Sequence, residues 1–130
     1  MEKGLETGLR QFNDEDFFEC HDTWEDVWMG LRGNERPFFQ GLIQIAVGYY
    51  HLTCENYPGA EHLLARGIAK LEKFSPSHRR IDVADLLEKA SGALSQTIDL
   101  RSGEREPSEF NPFPKIRKTN TGVFKNQKGT

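Results

Sequence analysis

His21 and Glu25 stand four residues apart in a stretch where Phe17, His21, Trp24 and Trp28 recur at steps of four, three and four. Four residues is about one helical turn, so the imidazole and the carboxylate can meet on one side of a helix. A second set follows in Gln40, Gln44 and His51, with His51 two turns beyond Gln44 on the same stripe. That stripe interrupts a segment that is otherwise apolar. A polar group buried there without a partner loses about 1–3 kcal/mol, so these side chains should find partners, and His21 and Glu25 on the preceding antiparallel helix are the nearest. The expected cluster is therefore His21, Glu25, Gln44 and His51. Gln40 and Asp22 stand at its margin, and Trp24, Trp28 and Tyr50 are candidate walls.

Three chemistries fit such a cluster. It can be a satisfied hydrogen-bond network that fixes helix register. It can be a small-molecule or general acid–base site, in which Glu25 orients His21, Gln44 holds a polar ligand group and His51 serves as a second proton-transfer residue. It can also be a divalent metal site, since two imidazoles and a carboxylate form a legitimate ligand set. The spacing His-Asp-Thr-Trp-Glu is not the H-E-x-x-H of metalloproteases, and no Glu-x-x-His pair of the di-iron bundles occurs. No cofactor is expected. Cys20 precedes His21 but points about 100° away from it, and Cys54 near His51 lacks a third orienting group, so nucleophilic catalysis is not favoured. His62 and His78 read as surface or loop residues. There is no Gly-rich phosphate loop.

The elements that must position these residues read as helices. Leu5, Leu9 and Phe12 suggest a short first helix near 2–11. Asn13 then looks like an N-cap, with three acids in the following turn, for a helix running to about Met29. A loop over 31–36 leads to Pro37 as the first residue of a helix near 37–54 that is apolar almost all round, which belongs at the centre of a bundle. Gly41 and Gly48, seven apart within it, imply close approach of another helix, either in this chain or in a second copy. Asn56-Tyr-Pro58 breaks the pattern, and Pro58 suits the start of the next helix, carried to about Phe74. Asp82 is a candidate N-cap for a last one through Leu100. No segment shows the alternation of a strand. The expected fold is all-α, a compact antiparallel bundle of four to five helices over residues 1–101.

The chain has 130 residues, 36% apolar and 28% charged, with a net charge of −3, which suits one globular domain and argues against a general nucleic-acid binder. Charge is uneven. Residues 1–30 hold nine acids and two bases, whereas from Asn111 onward there are five bases and no acid. Residues 102–130 read as a tail, docked through Phe110, Phe113 and Ile116 and disordered beyond about Lys118. Its basic residues are expected in solvent or against the acidic first half. Two cysteines without a framework, a polar N-terminus and no long apolar run point to a cytoplasmic protein with no membrane partner. A non-enzymatic alternative stays open. Phe12-Asn13 and Glu55-Asn56-Tyr57 form a weak echo 43 residues apart, which would suit a tetratricopeptide-like module holding a basic segment or forming a homodimer.

Three blocks carry a family resemblance. Phe12 to Trp28, with His21, Asp22, Trp24 and Glu25 inside it, is similar to the opening motif of the domain of unknown function 309 family. Phe39 to His51, and Asn56-Tyr-Pro-Gly-Ala60 followed by Leu63, Leu64 and Gly67, resemble its second and third motifs in the family's order. The resemblance covers roughly residues 5–75. It implies a compact all-α fold and no established activity. It sets Glu19, His21, Glu25, Trp28, Gln40, Gln44 and His51 at the polar and aromatic positions of those motifs. Asp22 departs from the pattern, where Glu usually follows the histidine, and a shorter carboxylate there has less reach.

Overall fold

Leu5, Gly8, Leu9 and Phe12 recur at steps of three and one, and they form the buried face of helix α1, Glu2–Asn13. Helices α2 (Phe17–Met29), α3 (Glu35–Thr53) and α4 (Tyr57–Leu71) follow. A single 3-10 turn over Glu72–Phe74, strands β1 (Ser77–His78) and β2 (Ile81–Asp82), and helix α5 (Val83–Ser102) complete the order. The computed structural model describes residues 1–104 and 113–119. Within them the chain is an all-α bundle in which α3 packs against both α2 and α4, and α4 in turn against α5.

Central α3 buries Phe38, Phe39, Leu42, Ile45, Ala46 and Tyr49 around most of its circumference, as its composition requires. It begins two residues before Pro37. The proline therefore lies inside the first turn, where its missing N–H has no intrahelical partner to lose. The glycine stripe is filled from within the chain. A Cβ on Gly41 would come within 2.8 Å of the Leu71 side chain, and one on Gly48 within 2.8 Å of Leu64. The close approach is thus made by α4, so the stripe no longer argues for a second copy.

Asn13 does not cap α2. It is the last residue of α1; the chain turns through Glu15 in the left-handed region, φ 64°, and α2 starts behind Asp16. The Asn13 amide instead clamps the tail, where Oδ1 accepts from the Ile116 N–H at 2.7 Å and Nδ2 donates to the Ile116 carbonyl at 3.2 Å. One asparagine ends a helix and the other starts one, so the echo between Asn13 and Asn56 is not a structural repeat. Ile116 is buried, and Phe113 packs on Phe17 and Tyr49 at 5.4 and 5.8 Å between ring centroids. Lys118 pairs with Glu6 at 2.6 Å, which sets this basic segment on the acidic first half. Phe110 and everything beyond Thr119 lie outside the described residues.

The hairpin is the element that the sequence pattern misses. Its strands have two residues each, too few to show alternation, and its turn is Arg79-Arg80 in place of the usual Asn-Gly. Both arginines have positive φ, 50° and 66°. Arg79 is held there by ion pairs to Glu35, at 2.8 Å, and to Glu2. Asp82 caps α5 as expected, its side chain accepting from the Asp85 N–H at 3.0 Å. No helix among the described residues is long and apolar enough to cross a membrane.

Candidate functional site

Phe17, Cys20 and Trp24 turn one face of α2 into the core, so Phe18, His21 and Glu25 fall on the adjoining flank, beside α3. There His21 and His51 line one cavity of about 140 Å³, together with Phe18, Val47 and Tyr50. The Phe18 ring bridges the two helices, 5.9 Å from His21 and 5.5 Å from Tyr50 between centroids. Tyr50 in turn lies 6.2 Å from the His51 ring. The result is a recess with apolar and aromatic walls and an imidazole from each helix. Phe18 is half exposed at its rim.

His21 is flanked by carboxylates of its own helix. Nδ1 is 3.3 Å from Asp22 and Nε2 is 3.5 Å from Glu25. These three residues offer ligand atoms within 4.8 Å of one another. They come from one turn of one helix, and both carboxylates are exposed, so the set alone does not make a metal centre. His51 is held from the other side, its Nδ1 3.2 Å from Asn56 Nδ2. A hydrogen bond to the Cys54 side chain raises the Tyr50 phenol above its ordinary range.

The expected cluster is assembled only in part. His21, His51 and Tyr50 share the cavity, and Glu25 stands beside His21. Trp24 is no wall. It falls on the stripe of Phe17 and Cys20, is fully buried against Phe12 and donates its indole N–H to the Leu5 carbonyl at 3.4 Å. Trp28 is also off the cavity, capped by the Arg36 guanidinium 3.9 Å from its ring centre. Gln40 and Gln44 are half-buried on α3 and do not line the recess. The Gln44 Oε1 is buried and has no protein donor among the described residues.

Phe18, Val47 and Asn56 were not singled out by spacing. Phe18 is three residues from His21 and Val47 is four before His51, so the helical period was the one signal that could have found them. A second histidine centre was invisible. His78 Nε2 lies 3.2 and 3.1 Å from the two Glu35 oxygens, and its ring is 4.4 Å from Phe38 and 4.9 Å from Phe74.

Helices α1 to α3 and the opening of α4 coincide with a family match. Residues 5–63 match the family described as Domain of unknown function (DUF309). The match takes in the first two sequence blocks and the third as far as Leu63, and every residue lining the cavity lies within the matched stretch. The chain is also 35% identical over 68 residues to "Uncharacterized protein YpuF" of Bacillus subtilis (strain 168). That alignment covers 52% of this chain and 37% of the relative, so the chain spans just over a third of the relative's length.

Proposed function

We propose that the recess between α2 and α3 binds a small planar molecule, with His21 and His51 as its proton-handling groups. The observation that carries this reading is that two imidazoles from different helices line one cavity of about 140 Å³ whose remaining walls are Phe18, Val47 and Tyr50. A dry cavity of about 150 Å³ holds a benzene-sized ring. Imidazole exchanges protons near neutral pH, so two of them at such a recess suit acid–base work on a ring. Glu25, 3.5 Å from His21 Nε2, orients that imidazole. Both histidines are half-buried, neither sealed nor fully in solvent. That state favours a ligand site over a structural network in an interaction module.

Titration with phenol, followed by NMR on the His21 and His51 rings, tests the reading. The expected result is saturable shifts confined to the cavity residues. Val47→Phe fills the recess and should abolish those shifts while leaving the helical spectrum intact. Shifts that persist in the filled variant, or none in the parent, would remove the proposal.

A further inference from the structure

We infer that the ligand of this recess presents a hydrogen-bond acceptor, a ring nitrogen or a carbonyl oxygen, to His51; the inference rests on the ligand-site reading above. The argument starts at the turn between α3 and α4. Glu55 adopts the left-handed region at φ 57°, and Asn56 then donates its backbone N–H to the His51 carbonyl at 2.9 Å. The same residue caps α4, its Oδ1 accepting the Gly59 N–H at 3.2 Å. That bond settles which end of the amide is which, because only the oxygen can accept. The other end, Nδ2, faces His51 Nδ1 at 3.2 Å.

An amide NH2 only donates, so Nδ1 must bring a lone pair. A neutral imidazole that accepts at Nδ1 carries its proton on Nε2. No protein acceptor meets that Nε2 among the described residues. His51 lines the cavity, and the one hydrogen-bonding group its ring has left is therefore a donor. His21 is held differently, its two ring nitrogens facing the Asp22 and Glu25 carboxylates.

Gly59 makes the arrangement possible. A Cβ there would lie 2.6 Å from Asn56 Nδ2 and 3.1 Å from His51 Cδ2, displacing both groups. Asn56 and Gly59 are thus positioning residues for His51, and a helix cap selects its tautomer. A ligand able only to donate would meet N–H with N–H. A matching acceptor completes the bond within otherwise apolar walls.

Two measurements on the full chain test this. Long-range 15N–1H spectra should show His51 protonated on Nε2 and bare on Nδ1. Pyridine and pyrrole, rings of similar size with opposite hydrogen-bonding character, should then differ by about tenfold in favour of pyridine. Asn56→Asp keeps the cap, because Asp serves there as well as Asn, but sets an acceptor against Nδ1. At pH 9 it should move the proton to Nδ1 and reverse the preference between the two rings. A proton on Nδ1 in the parent, or pyrrole binding as tightly as pyridine while phenol binds, overturns the inference and leaves the recess intact as a site. If phenol also fails to bind, the site reading falls and the ligand class falls with it.

Discussion

His78 packs against the rings of Phe38 and Phe74 with its Nε2 against both oxygens of Glu35, and Arg79 pairs with the same carboxylate. His51 sits at the edge of a recess with one nitrogen tied to Asn56 and the other without a protein partner among the described residues. Glu35 and His78 are 43 residues apart in the chain, whereas His51 and Asn56 are five apart. The long-range centre joins the start of α3 to the hairpin, with the His78 Nε2 and the Glu35 carboxylate committed to that contact. The local one is oriented by a neighbouring turn through Nδ1 and keeps Nε2 in reserve at the recess. Partners supplied from distant elements build the fold. Partners supplied within a turn aim a side chain and leave it available.

The aromatic neighbours should separate the two centres most widely. Phe38 is fully buried and touches His78, so Phe38→Ala removes core packing and is expected to destabilise by about 3–5 kcal/mol. Phe18 touches His21 but is half exposed, and Phe18→Ala should change stability by less than about 1 kcal/mol while weakening phenol binding. Urea unfolding of both variants reads the difference directly. A large loss in Phe18→Ala would place the recess in the folding core and end the distinction.

The carboxylates come next. Glu35→Gln leaves Arg79 and His78 short of an anion in a half-buried setting, and a loss of about 1–3 kcal/mol is expected. Glu25→Gln removes an exposed partner at 3.5 Å and should stay within about 0.5 kcal/mol. Thermal unfolding of the two variants side by side reads this. Equal shifts would show that the Glu35 centre contributes no more than a surface pair.

What could be read from residues alone follows the same division. The bundle was legible because apolar steps of three and four mark each helix, and α3 announces its central place by being apolar nearly all round. Asp82 was legible as a helix start because a cap acts over three residues, and Pro58 because proline suits the first turn. The pairing of His21 with Glu25, and of His51 with the same recess, follows from turn-length spacing on adjacent helices. Trp24 was misplaced because a shift of one position on a helix wheel moves a side chain by 100°, enough to carry it from the flank into the core. Asn13 looked like a cap because its type suits one, yet Ile116, 103 residues away, claims the amide. Glu35 and His78 share no local pattern, and only the packed fold brings them together.

The two thiols repeat the comparison with the smallest perturbation. Cys54 is exposed at the end of α3, whereas Cys20 is buried beneath α2, one residue from His21. Burial pushes the Cys20 thiol well above its ordinary value of 9.0, and it does the same to the Tyr49 phenol, ordinarily at 10.0. The consequence for stability has a definite sign. In the unfolded chain each group gives up its proton near the ordinary value, while in the folded chain it keeps it. The contribution is therefore fully present below about pH 9 and is lost as pH rises above it, with a slope approaching about 1.4 kcal/mol per pH unit for each group fully ionised in the unfolded chain. Urea midpoints measured from pH 8 to pH 10.5 should fall, and Cys20→Ala should fall less steeply, keeping only the share due to Tyr49. A thiol reagent should label Cys54 at once and Cys20 only through unfolding. Rapid labelling of both at neutral pH would mean that the wall between recess and core opens readily, and the reserve at His51 could then no longer be attributed to a rigid cavity.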